Sequence, residues 1–433
     1  MVSMIGLIGG LLLLTTLALR GWNLFIAAPL CALVVGISGG IPIFPNTDSV
    51  AFVTTYMNGF ASFISAWFLM FLLGSLFGKF MEDTGTADSL ARWIISKIGV
   101  KHAVAAVILA CAVLTYGGVS VFIVAFSVYP MALGLFKDAN LPRRFIPGAL
   151  AFGSVTFTMT TAGSPEIQNW IPVKFLHTSP YAAWEISFTV AIFMAVLGFF
   201  WINRMVRKAV ANGERFEHRA TDPAIPERDY PNPISGLVPL LVVLSISYFC
   251  HEQFQQYALI LALLGGCISL SLLNFRHFHN INKAINEGTT GALIAIGNTA
   301  AVVGFGTVAK ASPAFAVAIE AMTAIPGNEL IGAALAVTTI AGLTGSASGG
   351  LSIALPVLAP HYTDLGVNPD HLHRISSIAS GALDSLPHNG YIVTTVRAIC
   401  GETHKSAYWP IAALTIAIPT LGLILAVCLM QWF

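Results

Sequence analysis

The segment "GALDSLPHNGYIVTT" (381–395) places a carboxyl, an imidazole and an amide within strongly apolar sequence. Ionisable groups inside a membrane are costly and are functional candidates by default. Histidine titrates near neutral pH, so the sequence predicts that His388, with Asp384 four residues earlier on one helical face, carries a proton. Alternatively, a neutral His388 holds a broken helix open while Asp384 orients its ring. Pro387 and Gly390 favour such a break.

Composition indicates the environment of this segment. The 433 residues are 56% hydrophobic and 9% charged, with a net charge of +1, whereas soluble domains are about 25% charged. Roughly ten apolar stretches approach the ~20 residues that a spanning helix needs. The first lacks a basic start and a clean cleavage site, which predicts a retained helix. The pattern predicts an all-α polytopic membrane protein with no nucleic-acid partner.

The six cysteines are scattered, and no CxxC pair occurs. Neither disulfides nor a metal site is therefore expected, and no cofactor is predicted.

Two longer apolar regions, 103–134 and 329–360, are each interrupted by small residues. The interruptions read "LTYGGVS" (114–120) and "LTGSASGG" (343–350). Each half is short for a full crossing, which predicts a re-entrant hairpin whose tip lies inside protein or beside water. The alternative is two ordinary helices joined by a turn.

These features recur in one order along the chain. Phe77-Gly78 matches Phe305-Gly306 at a spacing of 228 residues, and Gly163 matches Gly390 at 227. We expect two inverted-topology repeats, 1–203 and 234–433, joined by a cytoplasmic linker at 204–233. Each repeat would hold about five spanning helices plus a re-entrant hairpin and a broken helix, the layout of secondary transporters.

The four interruptions supply candidate substrate ligands. Glycines allow close backbone approach, hydroxyls donate hydrogen bonds, and exposed helix N-termini attract anions. The alternative interpretation is close helix packing through small residues. We call the interruption around Gly163 the first break and the one around His388 the second break. Glu166, just past the first break, is a weaker candidate. The predicted substrate-binding residues are Gly117, Gly118, Ser120, Thr160, Thr161, Gly163, Ser164, Thr344, Gly345, Ser346, Ser348, Gly349, His388, Asn389 and Gly390.

The distribution of lysine and arginine predicts orientation. Most basic residues between predicted spans fall on the side of segment 204–233, which places that segment in the cytoplasm and both termini outside. Lys174, Lys310 and Arg374 are exceptions. The pattern indicates a multi-pass protein of a bacterial-type inner (plasma) membrane.

Longer motifs carry a family resemblance. The stretches "GSLFGKFMEDTGTADSLARWI" and "SGALDSLPHNGYIVTTVRAICGETHKSAY", with the helix pattern of nearly the whole chain, resemble the gluconate/proton symporter (GntP) family of the ion-transporter superfamily. The D-3-hydroxybutyrate permease branch is the most similar. "TYGGVSVF" and "LPHNGYIV" depart from the acidic hairpin and second break of the gluconate branch, which puts gluconate in doubt. The resemblance implies proton-coupled uptake of a small organic anion and, through the superfamily, homodimers.

Other functions fit parts of the pattern. Ser346 or Ser348 with His388 could form the dyad of an intramembrane hydrolase, but no third orienting group is recognisable. Paired breaks also occur in channels, and broken helices can coordinate Na⁺ in place of proton coupling. We expect a symporter rather than an enzyme.

Overall fold

The computed structural model describes residues 1–45, 51–219, 222, 229–323 and 329–432, and within these ranges it is helical without strands. The helices of the first half are α1 (Val2–Leu19), α2 (Leu24–Ser38), α3 (Phe52–Asp83), α4 (Thr86–Ile98), α5 (Ala103–Tyr116), α6 (Val121–Asp138), α7 (Ile146–Val155), α8 (Ile171–Leu176) and α9 (Trp184–Ala211). Those of the second half are α10 (Pro233–Phe254), α11 (Ala258–Asn274), α12 (Ile281–Lys310), α13 (Pro313–Thr323), α14 (Glu329–Thr344), α15 (Ala347–Asp364), α16 (Pro369–Ser380), α17 (Gly390–Val393), α18 (His404–Ala412) and α19 (Ile418–Met430).

Within the described ranges, six helical segments are long and apolar enough to cross a membrane. They are Phe52–Asp83, Val121–Asp138, Trp184–Ala211, Pro233–His277, Ile281–Lys310 and His404–Met430. A further pair, α4 with the segment Val100–Tyr116, is bent by 100°. The run Pro233–His277 is folded back on itself, because Ser235 Oγ near its start donates to Asn274 Oδ1 near its end (2.7 Å). These segments confirm the predicted all-α polytopic membrane protein.

The two halves present their elements in the same order. Each has a helical pair, a long helix followed by a shorter one, a helical hairpin, a broken helix and a final long segment. The long helices α3 and α12 correspond, and they pack antiparallel. Tyr56 Oη donates to the Ala301 carbonyl at one end (3.0 Å), and Ser75 Oγ donates to the Gly288 carbonyl at the other (2.8 Å). Corresponding helices that run in opposite directions are what inverted repeats produce.

Both predicted hairpins turn at their small-residue clusters. α5 ends at Tyr116 and α6 begins at Val121, while α14 ends at Thr344 and α15 begins at Ala347. Two predicted spans, 145–165 and 374–396, are interrupted instead of continuous: α7 stops at Val155, and α16 stops at Ser380, ten positions before α17. Each half therefore contains one hairpin and one broken helix.

The predicted linker begins later than position 204, because α9 continues to Ala211. Its described residues bind the junction between α6 and α7. Arg144 pairs with Glu214 (Nε to Oε2, 2.6 Å), and Arg143 Nη1 pairs with Asp222 Oδ1 (2.7 Å). Arg143 Nε also reaches Glu402 Oε1, from the chain just before α18 (3.1 Å). Within the linker, Arg219 Nη2 pairs with the same Glu402 Oε1 (2.9 Å), so the linker contacts both halves.

Candidate functional site

A cavity of about 670 Å³ lies where the two hairpin tips meet the two broken helices. Residues of α1, α3, α11 and α12 also line it. The hairpins and breaks line it with Gly118, Ser120, Val121, Phe122, Ile123, Pro165, Glu166, Ile167, Gln168, Thr344, Gly345, Ser346, Ala347, Ser348, Asp384, Ser385, His388, Asn389, Gly390, Tyr391 and Thr394.

Two helices of 18 residues, α6 and α15, begin at this cavity. Ser346 precedes α15, and its Oγ accepts the Gly349 N–H (3.1 Å). Ser120 precedes α6 and makes no such side-chain cap. The first N–H groups of a helix have no partner within the helix and carry a partial positive charge. The cavity therefore receives two positive helix ends, one from each half.

The second break is held open by its asparagine. Asn389 Nδ2 donates to the carbonyls of Gly345 and Asp384 (3.0 Å each), while its Oδ1 accepts the Ile392 N–H (3.0 Å). Tyr408 Oη adds a bond to the Ser385 carbonyl (3.1 Å). These bonds satisfy backbone groups that the interrupted helix leaves unpaired. The bond to Gly345 also attaches the break to the hairpin formed by α14 and α15, which we call hairpin 2.

His388 presents an unpaired nitrogen at the cavity. Its Nε2 is buried, and no hydrogen-bond partner for it occurs in the described part of the chain. The ring lies against Gly345, where a Cβ would come within 2.7 Å of Nε2. Gly345 also has φ +61°, so glycine is required here both sterically and conformationally. A buried nitrogen without a partner is disfavoured unless something binds it.

Asp384 lies near His388 on the cavity wall. Its Oδ1 accepts a hydrogen bond from Ser385 Oγ (2.9 Å). Residues 381–388 form turns, so the predicted pairing of the two side chains on one helical face has no helix to support it. Both side chains nevertheless line the same cavity.

The first break is organised around a buried arginine from the other half. Arg374 of α16 is fully buried. Its guanidinium donates to the carbonyls of Thr160 (2.7 Å), Pro180 (3.1 Å) and Ala182 (3.0 Å), and to Asn169 Oδ1 (2.8 Å). This burial explains why Arg374 is an exception to the distribution of basic residues that predicts orientation. It joins the two halves instead of lying in a loop.

This arrangement decides which residues of the first break reach the cavity. Thr160, Thr161, Gly163 and Ser164 are buried outside its lining, and Pro165 to Gln168 line it instead. The Ser164 carbonyl is occupied by Asn169 Nδ2 (3.2 Å) and Trp170 Nε1 (3.0 Å).

Two predicted glycines also lie outside the lining. Gly117 faces α10, where a Cβ would meet Leu240 at 2.8 Å. The Gly349 N–H is used by the cap of α15. The other predicted ligands, Gly118, Ser120, Thr344, Gly345, Ser346, Ser348, His388, Asn389 and Gly390, are brought together with Asp384.

Sequence reasoning missed the polar wall from the long helices. Ser75 and Lys79 of α3 and Glu287, Asn298 and Thr299 of α12 line the cavity. Their signal was present, since a lysine, a glutamate and an asparagine inside apolar spans are candidates by the same rule that selected His388. Lys79 is one of the basic residues whose distribution predicts orientation, and that role alone does not point to a site.

The rest of the wall is apolar. Met70, Phe71, Phe122, Leu259 and Leu263 lie around the polar hairpin tips. An apolar enclosure with a few convergent polar groups is the usual character of a small-molecule site.

Comparison with known proteins identifies the family. A sequence model described as GntP family permease matches residues 1–246, more than half of the chain.

The chain belongs to the GntP permease family.

Its relatives are transporters. This GntP permease is 35% identical to the uncharacterized transporter YxjC of Bacillus subtilis (strain 168), over 94% of each chain. It is 31% identical to the high-affinity gluconate transporter of Escherichia coli (strain K12), over 32% of this chain and 30% of that protein. Among solved structures, the YdaH transporter of Alcanivorax borkumensis is similar in fold, with a TM-score of 0.59 and 15% identity over 97% of this chain and 99% of that one.

Family membership establishes a multi-pass membrane transporter of the gluconate permease family and not an enzyme. Ser346 Oγ lies 3.4 Å from Ser348 Oγ in this GntP permease, and in a transporter these hydroxyls are available as donors to a bound anion.

Proposed function

We propose that this permease imports a small hydroxy-monocarboxylate together with protons, with D-3-hydroxybutyrate as the preferred substrate. The observation that carries the proposal is the central cavity, where two helix N-termini converge beside the unpaired Nε2 of His388. We infer that helix N-termini and an imidazole together form the anion site; Lys79 also lines the cavity, on α3.

Carboxylate binding follows from the donors at the hairpin tips. The N–H groups that begin α6 and α15 attract an anion from opposite repeats. Ser346 and Ser348 offer hydroxyls on the same wall, whereas the Thr344 hydroxyl donates to the Ile340 carbonyl (2.9 Å). His388 Nε2 then binds either the carboxylate, as a donor, or the substrate hydroxyl, as an acceptor.

Proton coupling would remove the electrical cost of importing an anion. Moving one negative charge into a cell costs about 2.3 kcal/mol per 100 mV of inside-negative potential. One proton that travels with a monocarboxylate removes this cost, and a second makes the potential a driving force. His388 and Asp384 are the proposed proton carriers because both face the cavity. Glu166 faces it from the first break and is the next candidate.

The apolar wall favours D-3-hydroxybutyrate. Its methyl group needs apolar contacts such as those of Met70, Phe71 and Phe122, whereas the polyol chain of gluconate would leave hydroxyls unpaired there. Gluconate is the second candidate, because a relative named as a gluconate transporter matches a third of the chain. Na⁺ is the alternative coupling ion.

The test is transport by purified protein in proteoliposomes with an imposed inward proton gradient. We expect accumulation of labelled D-3-hydroxybutyrate that collapses with a protonophore and does not require Na⁺. A competition panel with gluconate and unbranched monocarboxylates then ranks substrates. Vesicles that accumulate neither acid would contradict the proposal. Accumulation only with a Na⁺ gradient would show that Na⁺, and not the proton, is the coupling ion.

The proposal includes the organisation of the whole permease. We infer that 1–203 and 234–433 act as inverted repeats around the cavity, that the linker is cytoplasmic with both termini outside, and that the protein is a homodimer. The antiparallel packing of α3 on α12 supports the first point. Cysteine accessibility in right-side-out vesicles tests orientation, and light scattering of the purified protein tests the dimer.

A further inference from the structure

A second cavity of about 450 Å³ lies beside the central one, at the end of α3 that faces the linker. Its polar wall includes Glu82, Arg92, Tyr230 and Lys283. It shares two residues, Lys79 and Glu287, with the lining of the central cavity. These two side chains therefore stand on the boundary between the cavities.

Lys79 and Glu287 form an ion pair across α3 and α12, with Nζ and Oε2 2.8 Å apart. The helices are close at this point, because Ser75 Oγ donates to the Gly288 carbonyl and a Cβ on Gly288 would lie 3.4 Å from Lys79 Cβ. The base of the lysine is thus fixed by backbone packing, while its ammonium reaches the boundary.

The two members of the pair are unequal. The Lys79 side chain is 20% exposed and also contacts Glu82 Oε1 (2.8 Å), whereas Glu287 is 44% exposed and has Lys283 within 3.7 Å of its second oxygen. Glu287 can therefore leave Lys79 without losing all contact with a cation. Solvent-exposed ion pairs contribute little net stability, so the contact between Lys79 and Glu287 can break and re-form at little cost.

We propose that Lys79 is a second binding point for the substrate carboxylate, at which the substrate displaces Glu287 on its way between the central cavity and the second cavity. The incoming group has the same chemistry as the group it replaces, an ionised carboxylate on an ammonium. The ligand class is a small organic monocarboxylate, and the inference rests on the proposed function. Lys79 would then bind the substrate as it moves between the two cavities, and the hairpin tips would bind it in the central cavity.

The experiment compares Lys79→Gln with Glu287→Gln, since both break the same ion pair. Initial rates of D-3-hydroxybutyrate exchange are measured in inside-out and right-side-out vesicles. Lys79→Gln should raise KM by at least about tenfold, the effect of losing a hydrogen bond to a charged group. The larger increase of KM is expected when the substrate is added on the side of the membrane where the second cavity lies, which is the side of the linker. Glu287→Gln should lower KM, because a competitor for the Lys79 ammonium has been removed.

Lys79→Arg is the conservative control and should keep KM within about threefold, since it retains the cation. Equal changes of KM in Lys79→Gln and Glu287→Gln would show a structural pair and overturn the inference, as would an unchanged KM in Lys79→Gln. Melting temperatures of both variants separate loss of folding from loss of binding. Wild-type vesicles that transport neither D-3-hydroxybutyrate nor gluconate would overturn the proposed function itself, and this inference with it.

Discussion

Two nitrogen-bearing side chains of the second half, Arg374 and His388, illustrate how hydrogen bonding separates structural from functional residues. Arg374 has four acceptors within 3.1 Å and is completely enclosed. His388 lines the cavity, and its Nε2 has no partner within the described ranges. A buried polar group that is fully paired stabilises one arrangement, whereas an unpaired one at a cavity is ready for a ligand. Arg374 therefore holds the first break, and His388 is the residue to test for transport.

At the residue scale, we predict that His388→Ala abolishes gradient-driven accumulation while substrate exchange across the membrane continues at a reduced rate. Exchange needs binding and movement but no net proton transfer, whereas accumulation needs a titrating group. Uptake and exchange of labelled D-3-hydroxybutyrate in the same proteoliposomes measure the two activities.

His361→Ala is the matched control, because His361 is exposed near the end of α15 and does not line the cavity. It should leave both activities unchanged. Undiminished accumulation in His388→Ala would move the proton-carrying role to Asp384 or Glu166.

At the scale of elements, glycines set the distance between the packed helices. Gly153 of α7 lies against α5, where a Cβ would come within 2.5 Å of the Ile108 carbonyl oxygen. Gly350 of α15 lies against α14, where a Cβ would come within 2.6 Å of the Ala341 Cα. Both obstacles are backbone atoms, which cannot rotate away. Glycine at these positions therefore allows α7 to pack closely on α5 and α15 to pack closely on α14.

Gly350→Ala should therefore destabilise hairpin 2 and lower the melting temperature of the purified protein. Overpacking of a filled interior costs about 1–3 kcal/mol. The same separation of α14 from α15 should weaken transport, since Ser346 and Ser348 lie at the tip.

Gly9→Ala supplies the control for that experiment. Gly9 lies in α1 with no atom within 4 Å of a built Cβ, so alanine there should be neutral or stabilising by about 0.5–1 kcal/mol. A melting temperature of Gly350→Ala equal to that of the wild type would show that the hairpin relaxes without cost.

At the scale of the whole molecule, ion pairs bind the linker to both halves. Glu402 lies between Arg143 and Arg219, with contacts of 3.1 and 2.9 Å. The Arg144 guanidinium, hydrogen-bonded to Glu214, lowers the pKa of that carboxyl. Burial opposes ionisation of Asp222, but hydrogen bonds from the Arg219 N–H and from Arg143 outweigh it, and the pKa of Asp222 is lowered. Ionised carboxylates therefore hold the linker in place.

These shifts predict an acid-sensitive linker. A carboxyl with a lowered pKa contributes stability above its unfolded value, and that stability is lost as pH falls through the folded value. The ordinary values are 3.8 for Asp222 and 4.5 for Glu214. Hydrogen-exchange protection of residues 212–219, corrected for intrinsic rates, should stay level from about pH 7 to 5 and fall below about pH 4.

The double variant Glu214→Gln with Asp222→Asn lacks both carboxylates, so neither position can be neutralised by acid. Its linker should be less protected at neutral pH, and its protection should no longer depend on acid. Protection of the wild type that persists down to about pH 3 would contradict a role for these two carboxylates.

The sequence by itself determined the class of fold and the position of its interruptions. Apolar length predicted the spanning helices, and Gly, Ser and Pro clusters predicted the breaks near 117, 163, 345 and 388, because helix propensity and backbone conformation are local properties. The polar residues of the second break could also be identified from the sequence, since His388 and Asn389 lie in strongly apolar sequence. Most of the residues predicted there and at the hairpin tips line the cavity.

Only the tertiary structure decided which side of the first break faces the cavity and which charges meet there. Arg374 binds the Thr160 carbonyl from 214 positions away, which buries residues 160–164 and turns Pro165 to Gln168 inward. Lys79 meets Glu287 only because α3 and α12 pack antiparallel. Such contacts join groups far apart in the chain, and no local pattern records them, because they depend on how complete helices pack.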